Sequence, residues 1–248
     1  VSEASPGHPV GRLAGRLALV TGASRGLGAA AALAFAAEGA HCVLVARTVG
    51  GLEALDDRIK AAGGSATLVP LDVTDGPGLD RLGAALYERF GRLDVLLGNA
   101  AILGVLSPIG HIDPDVFERV MAVNVTANWR LIRSLDPLLR RSDAGRAIFV
   151  TSGITRQVVP YWSAYAASKA ALEMLVGTYA AEVAHTAVRV NLYNPGPMRT
   201  ALRAQAFPGE DPRQQVPPEA HAEGLIRLAL PSCTMSGQWV AGDEGLAT

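Results

Sequence analysis

A chain of 248 residues, 49% of them hydrophobic, can bury a sizeable core and is of ordinary length for one α/β domain. The formal net charge of −1 gives no electrostatic footing for binding nucleic acid or an anionic membrane. The two cysteines, Cys42 and Cys233, lie far apart without C-x-x-C spacing, which argues against a disulfide framework or a zinc site and fits a reducing cytoplasm.

Val1–Gly15 is polar and lacks the apolar stretch of a signal peptide, so residues 1–14 are expected to be a flexible extension before a domain spanning 15–248. No apolar run approaches the length of a membrane span. From Leu17 onward, short apolar runs alternate with longer helix-periodic segments. Strands are predicted at Leu17–Thr21, Cys42–Ala46, Thr67–Leu71, Val95–Asn99, Ala147–Thr151 and Val188–Leu192, with a short seventh near Gln238–Ala241. Between them the periodicity predicts helices at Leu27–Glu38, Val49–Ala62, Leu79–Phe90, Pro114–Leu139, Tyr161–Ala184 and Pro218–Leu228. Asp113 followed by Pro114 is a sound start signal for the fourth. Repeated β-α-β units with near-continuous apolar strands predict a Rossmann-type, doubly wound parallel sheet of about seven strands with helices on both faces. The proline-rich stretch Asn194–Pro217 reads as an irregular lid or binding loop.

Directly after the first strand comes Thr21-Gly22-Ala23-Ser24-Arg25-Gly26-Leu27-Gly28, and then a helix. Glycines there permit a tight turn and close approach of the backbone to phosphates, with the helix N-terminus supplying N–H donors. The second strand ends in Ala46-Arg47-Thr48, without the carboxylate that would hold a ribose 2′-hydroxyl. Arg47 and Arg25 together suit a 2′-phosphate, favouring NADP(H) over NAD(H); each alone could equally be solvated surface. Asp72 could accept from an adenine amino group or cap the next turn.

Tyr165 and Lys169 are four residues apart, which places them one turn apart on one helix face. An ammonium beside a phenol favours the phenolate, as a general acid/base working at neutral pH needs. Ser152, just past the fifth apolar run, could hydrogen-bond a substrate oxygen while Tyr165 moves its proton.

With these pieces in one chain, the sequence resembles the short-chain dehydrogenase/reductase family from about Leu17 to about Thr200. The family's fourth-strand N-N-A-G motif corresponds to Gly98-Asn99-Ala100-Ala101, and its helical Asn to Asn124. Its Ser falls on Ser152, its Y-x-x-x-K on Tyr165 and Lys169, and its P-G on Pro195-Gly196, followed by Thr200. The resemblance implies catalytic roles for Tyr165 (proton transfer), Lys169 (lowering the Tyr165 pKa), Ser152 (orienting the substrate oxygen) and Asn124 (holding a water through its amide and a local helix irregularity). It implies cofactor contacts at Gly22, Ser24, Arg25, Gly26, Leu27, Gly28, Arg47, Asp72, Val73, Asn99, Ala100, Pro195, Gly196 and Thr200, besides Tyr165 and Lys169. Gly98 and Ala101 depart from the family pattern, as does the ending Val240-Ala241-Gly242-Asp243-Glu244-Gly245.

The substrate pocket is expected between Ser152 and Tyr165 and after Pro195, from Ile154, Trp162 and Met198, with Val158, Val159 and Phe207 as further candidates of which most valines should pack the core. An apolar wall around one polar site suits a moderately apolar ketone or secondary alcohol. Five scattered histidines (His8, His41, His111, His185, His221) lack metal-ligand spacing and read as surface or capping residues, so no metal is expected. The resemblance further implies a homodimer or homotetramer packed through the two long helices. Two other readings use the same fold: a non-catalytic dinucleotide sensor, and an epimerase or dehydratase.

Overall fold

Strands β1 (Leu17–Thr21) and β5 (Arg146–Val150) are buried along their whole length, as runs covered on both faces must be. They belong to a seven-stranded sheet with β2 (His41–Ala46), β3 (Ser65–Pro70), β4 (Val95–Gly98), β6 (Arg189–Asn194) and β7 (Trp239–Ala241). The computed structural model describes residues 11–242. Strand order is β3-β2-β1-β4-β5-β6-β7 and every pairing is parallel.

Helices α1 (Gly26–Ala37), α2 (Val49–Ala61) and α8 (Ala222–Ala229) cover one face, where Phe35, Leu52 and Ile226 pack with Val20, Leu97 and Ile148. The other face carries α3 (Gly76–Phe90), α4 (Pro114–Met121), α5 (Ala127–Leu139) and α6 (Ser163–Glu182), with Leu79, Leu135 and Leu172 against Leu19, Leu96 and Phe149. The chain moves outward from β1 through β2 to β3, then returns to β4 on the other side of β1. Strand order therefore reverses between β1 and β4, and a crevice opens outside their carboxyl ends, where ligands of such sheets bind.

The observed strands agree with the predicted ones to within two residues. Three helical expectations need correction. The single helix expected at Pro114–Leu139 is interrupted by a π-helical segment, Ala122–Thr126, between α4 and α5. The segment expected at Pro218–Leu228 begins as a 3₁₀ turn, Pro218–His221, before α8. The irregular stretch Asn194–Pro217 contains a short helix, α7 (Ala201–Ala206), capped by the Thr200 side chain accepting from Arg203 N.

Residues 11–14, placed within the expected extension, are part of the described fold. Leu13 is fully buried, and Arg12 binds the carboxylates of Glu38 and Glu223. Residues 1–10, and the tail residues Asp243, Glu244 and Gly245, lie outside the described residues. His221 is also buried, against Tyr193, where a surface position was expected. Val158, expected in the core, is fully exposed.

Gly98, the first departure from the family motif, has a steric reason. A Cβ at this position would run into the Phe149 ring and lie 2.7 Å from Asn128 Oδ1. The bulk that an Asn would supply on β4 comes here from Phe149 on the neighbouring strand. Gly98→Asn should therefore overpack the sheet and lower stability by about 1–3 kcal/mol in urea denaturation. An unchanged midpoint would show that the ring can move aside.

Candidate active site

The turn between β1 and α1 is shaped by Gly22 and Gly26, whose φ values of 64° and 56° lie in the left-handed region that favours glycine. Gly28 is required for a different reason: a Cβ there would collide with the Gly22 carbonyl and with Asn99 Nδ2. Asn99 supports the turn from β4, donating to the Thr21 carbonyl at 2.9 Å and to that of Gly22 at 3.4 Å. Its amide is thus a prop for the loop.

Helix α1 starts without a side-chain cap and without an acid in its first turn. Its first N–H groups face the crevice unpartnered by side chains, beside Arg25. Helix α2, which begins just after Arg47 and Thr48, is likewise uncapped, but its first residues do not line the crevice. The α1 N-terminus and the two arginines make a cradle that fits the phosphates of a dinucleotide.

Asp72, for which an adenine contact or a turn cap was expected, lines the crevice and caps the turn. Its Oδ1 accepts from Thr74 N and Thr74 Oγ1, and its Oδ2 is 3.0 Å from Arg119 and 3.7 Å from Arg47. This is the turn-capping alternative, and the paired arginine and turn donors hold the carboxyl below its ordinary pKa despite partial burial.

Tyr165 and Lys169 lie on the buried face of α6, with Lys169 Nζ 5.8 Å from the Tyr165 ring centroid. Ser152, two residues past β5, faces the Tyr165 phenol closely enough to act on its pKa, and its Oγ accepts from Ile154 N at 3.4 Å. Lys169 Nζ donates to the Val150 carbonyl at 2.8 Å. Burial pushes the phenol up to about 12, with Ser152 acting in the other direction. Burial likewise pushes the ammonium down to about 8, opposed by the charge of Glu173. The phenol made acidic by Lys169 that was expected is not what burial produces: desolvation raises the phenol, and the ammonium is aimed at a strand carbonyl.

Asn124 sits in the π segment, fully buried. Its Nδ2 donates to the Ile102 carbonyl and Ser168 Oγ, and its Oδ1 accepts from Ile102 N, each at 2.9 Å. Its carbonyl accepts from Asn128 Nδ2. Both amide hydrogens are therefore used within the protein, tying the loop after β4 to α6.

One crevice of about 1060 Å³ joins these parts. Gly22, Ser24, Arg25, Gly26, Leu27, Arg47, Asp72, Val73, Asn99 and Ala100 line it towards the turn; Ser152, Tyr165, Lys169, Pro195, Gly196 and Thr200 line it further along. Gly28 lies behind the turn and is not in its wall. Ile154, Trp162 and Met198 line the far end as expected. Trp162 meets the Tyr165 ring edge-on at 6.1 Å between centroids and Phe207 at 5.8 Å. Leu103 and Leu202, which sequence reasoning missed, complete this apolar wall. Leu202 was legible only through the Thr200 cap signal inside a proline-rich stretch.

The family model described as short chain dehydrogenase matches residues 16–211. The chain belongs to this family. It is 39% identical over 232 residues to the oxidoreductase YciK of Escherichia coli (strain K12), covering 92% of this chain and 87% of that protein. A short chain dehydrogenase structure from Pseudomonas syringae superposes with a TM-score of 0.91 at 41% identity, covering 96% of this chain and 98% of that one. Another, from Shigella flexneri 2a str. 301 and complexed with NADP, gives 0.90 at 35% identity over 94% of this chain and 99% of the other. Among the described residues no His, Cys, Asp and Glu cluster could hold a metal, and no helix is long and apolar enough to cross a membrane.

In this short chain dehydrogenase the buried Lys169 couples the site to stability. Its pKa falls from 10.5 to about 8 on folding, so between those values the unfolded chain binds more protons there and stability rises with pH. Wild type should gain about 2 kcal/mol over Lys169→Met between about pH 8 and 10 in urea denaturation. Parallel stability curves would contradict this placement of the charge.

Proposed function

We propose that this oxidoreductase transfers a hydride between NADP(H) and a moderately apolar ketone or secondary alcohol, with Tyr165 as the proton-transfer group. The observation carrying this reading is that Ser152, Tyr165 and the buried Lys169 line one crevice together, with Lys169 Nζ 5.8 Å from the Tyr165 ring centroid, at the point where the cradle meets the apolar wall. When bound, the nicotinamide supplies the hydride.

The residues of this chain perform the remainder. Ser152 orients the substrate oxygen beside Tyr165. A phenol near 12 stays protonated across the neutral range, which suits donation to a carbonyl oxygen in reduction. Lys169, still charged at neutral pH, stabilises the phenolate that forms. Trp162, Ile154 and Met198 position the apolar part of the substrate and exclude water. The complete set Ser152, Tyr165 and Lys169 favours chemistry over a sensor role.

Preference for NADP(H) is supported by Arg25 and Arg47 and by the missing acid after β2. The NADP complex of the Shigella flexneri relative is consistent with it. A two-fold mate would pack on the long helices, which leave Phe117, Trp129 and Met174 exposed. A cytoplasmic location accords with the cysteine usage.

A broad carbonyl and alcohol panel read by NADPH absorbance tests the reaction class. Tyr165→Phe should cut turnover by about 10²–10⁴-fold while leaving cofactor affinity nearly unchanged. Full activity in that variant would remove Tyr165 as the proton donor. Arg47→Ala should weaken NADPH binding by about 10–100-fold and NADH binding far less. Equal losses by titration would sink the 2′-phosphate assignment.

A further inference from the structure

Helix α6 meets the end of β5 at successive turns. Tyr165, Lys169 and Glu173 are spaced by four, and each meets a different point on the strand end. Tyr165 faces the Ser152 side chain, and Lys169 holds the Val150 carbonyl. Glu173 holds the two threonines that flank Ser152: its Oε1 accepts from Thr151 Oγ1 at 2.7 Å and Thr155 Oγ1 at 2.9 Å.

That same oxygen accepts from Trp239 Nε1 on β7 at 2.9 Å, while Oε2 lies 3.6 Å from Arg156. The Arg156 guanidinium is 4.9 Å from the Trp239 ring centroid, closing the cluster from outside. The Glu173 side chain is only 13% exposed. Three donors converging on one oxygen call for the acceptor-only capacity of a carboxylate. Thr155 also contacts the Ser152 carbonyl, through Oγ1 at 3.0 Å and N at 3.2 Å. Fixing Thr151 and Thr155 therefore fixes the backbone from which the Ser152 hydroxyl projects.

We propose that Glu173 is a positioning residue: it sets the Ser152 hydroxyl against Tyr165 and supports the charge on Lys169, one turn away on the same helix. The proposal deepens the reaction assigned above and rests on Tyr165 and Lys169 being its working pair. Glu173 does not itself line the crevice, though Thr151, which it holds, does, so it acts through its neighbours. Its charge raises the Lys169 pKa against the lowering by burial. The groups facing that ammonium are Tyr165 and Glu173 on its own helix and the Val150 carbonyl on β5. From the segment after β5 come Ser152, facing Tyr165, and Arg156, which lies against Glu173.

Glu173→Gln keeps an acceptor oxygen and removes the charge, whereas Glu173→Ala removes both. The first measurement is a ¹³Cε-lysine NMR titration of the protein alone. Lys169 should titrate at lower pH in Glu173→Gln than in wild type, and an unmoved midpoint overturns the electrostatic half of the proposal. The second is steady-state reduction of the best carbonyl from the panel. Glu173→Ala should lose up to about 10²-fold in kcat, with the KM for NADPH little changed. Glu173→Gln should keep most of its kcat below neutral pH and lose it at a lower pH than wild type.

Trp239→Phe removes one donor, keeps the ring and serves if Glu173→Ala fails to fold; it should lower kcat severalfold without moving the alkaline limb. Wild-type kcat in every variant, or a lower melting temperature with kcat and pH limb unchanged, would leave Glu173 a purely structural residue. Tyr165→Phe separates the two ideas. If it stays active, the proposed reaction fails; if it is dead while Glu173 variants behave as wild type, only the positioning role fails.

Discussion

The ammonium of Lys169 sits where bulk water does not reach it, and the surrounding fold is arranged around that charge. Burial alone favours the neutral amine, so the position persists because β5 offers the Val150 carbonyl and α6 offers Glu173 one turn further on. Both supports depend on the parallel sheet. Only a strand that ends under α6 can present its last carbonyl to a side chain on the helix. The crossover from β5 to α6 must then bring Ser152 back over Tyr165, which it does through the short 3₁₀ turn Gly153–Arg156.

The sheet was legible because its strands are short apolar runs, buried on both faces, that no other element of this chain imitates. The glycine turn was legible because its position between β1 and α1 gives it one physical reading. Leu13 was hidden by its polar neighbours: one apolar side chain among Gly, Arg and Ala carries no periodicity, although it is fully buried. The π segment at Ala122–Thr126 was hidden for a related reason. One extra residue per turn barely perturbs a hydrophobic stripe, so Pro114–Leu139 reads as one helix. The resemblance to a known family supplied the helix irregularity that periodicity could not.

The site residues divide along the same line. Tyr165, Lys169 and Ser152 were legible through spacing, and the structure brings them together. What spacing could not show is the balance of desolvation against charge, because burial is a property of the assembled fold. Hence the phenol lies above its ordinary pKa where a lowered one was expected. Asp72 and Asn99 show the same limit. Each was expected to face a ligand, and each side chain is largely committed to its own protein, to Thr74 and Arg119 in one case and to the β1 turn in the other.

Those commitments change how the crevice should be understood. At its nucleotide end, the polar side chains that line it mostly hold the loops in place. The groups left facing the crevice are backbone N–H at the start of α1 and the guanidiniums of Arg25 and Arg47. What that end offers is therefore backbone geometry and positive charge, and Ala101, which stands where the family pattern has glycine, lines it without altering either. At the catalytic end the logic is reversed. There two titrating side chains, Tyr165 and Lys169, share a desolvated wall, where a small shift of the β5 end would change the surroundings of both. The fold ties that end at Val150 through Lys169 and at Thr151 and Thr155 through Glu173, so its restraint is concentrated beside this pair.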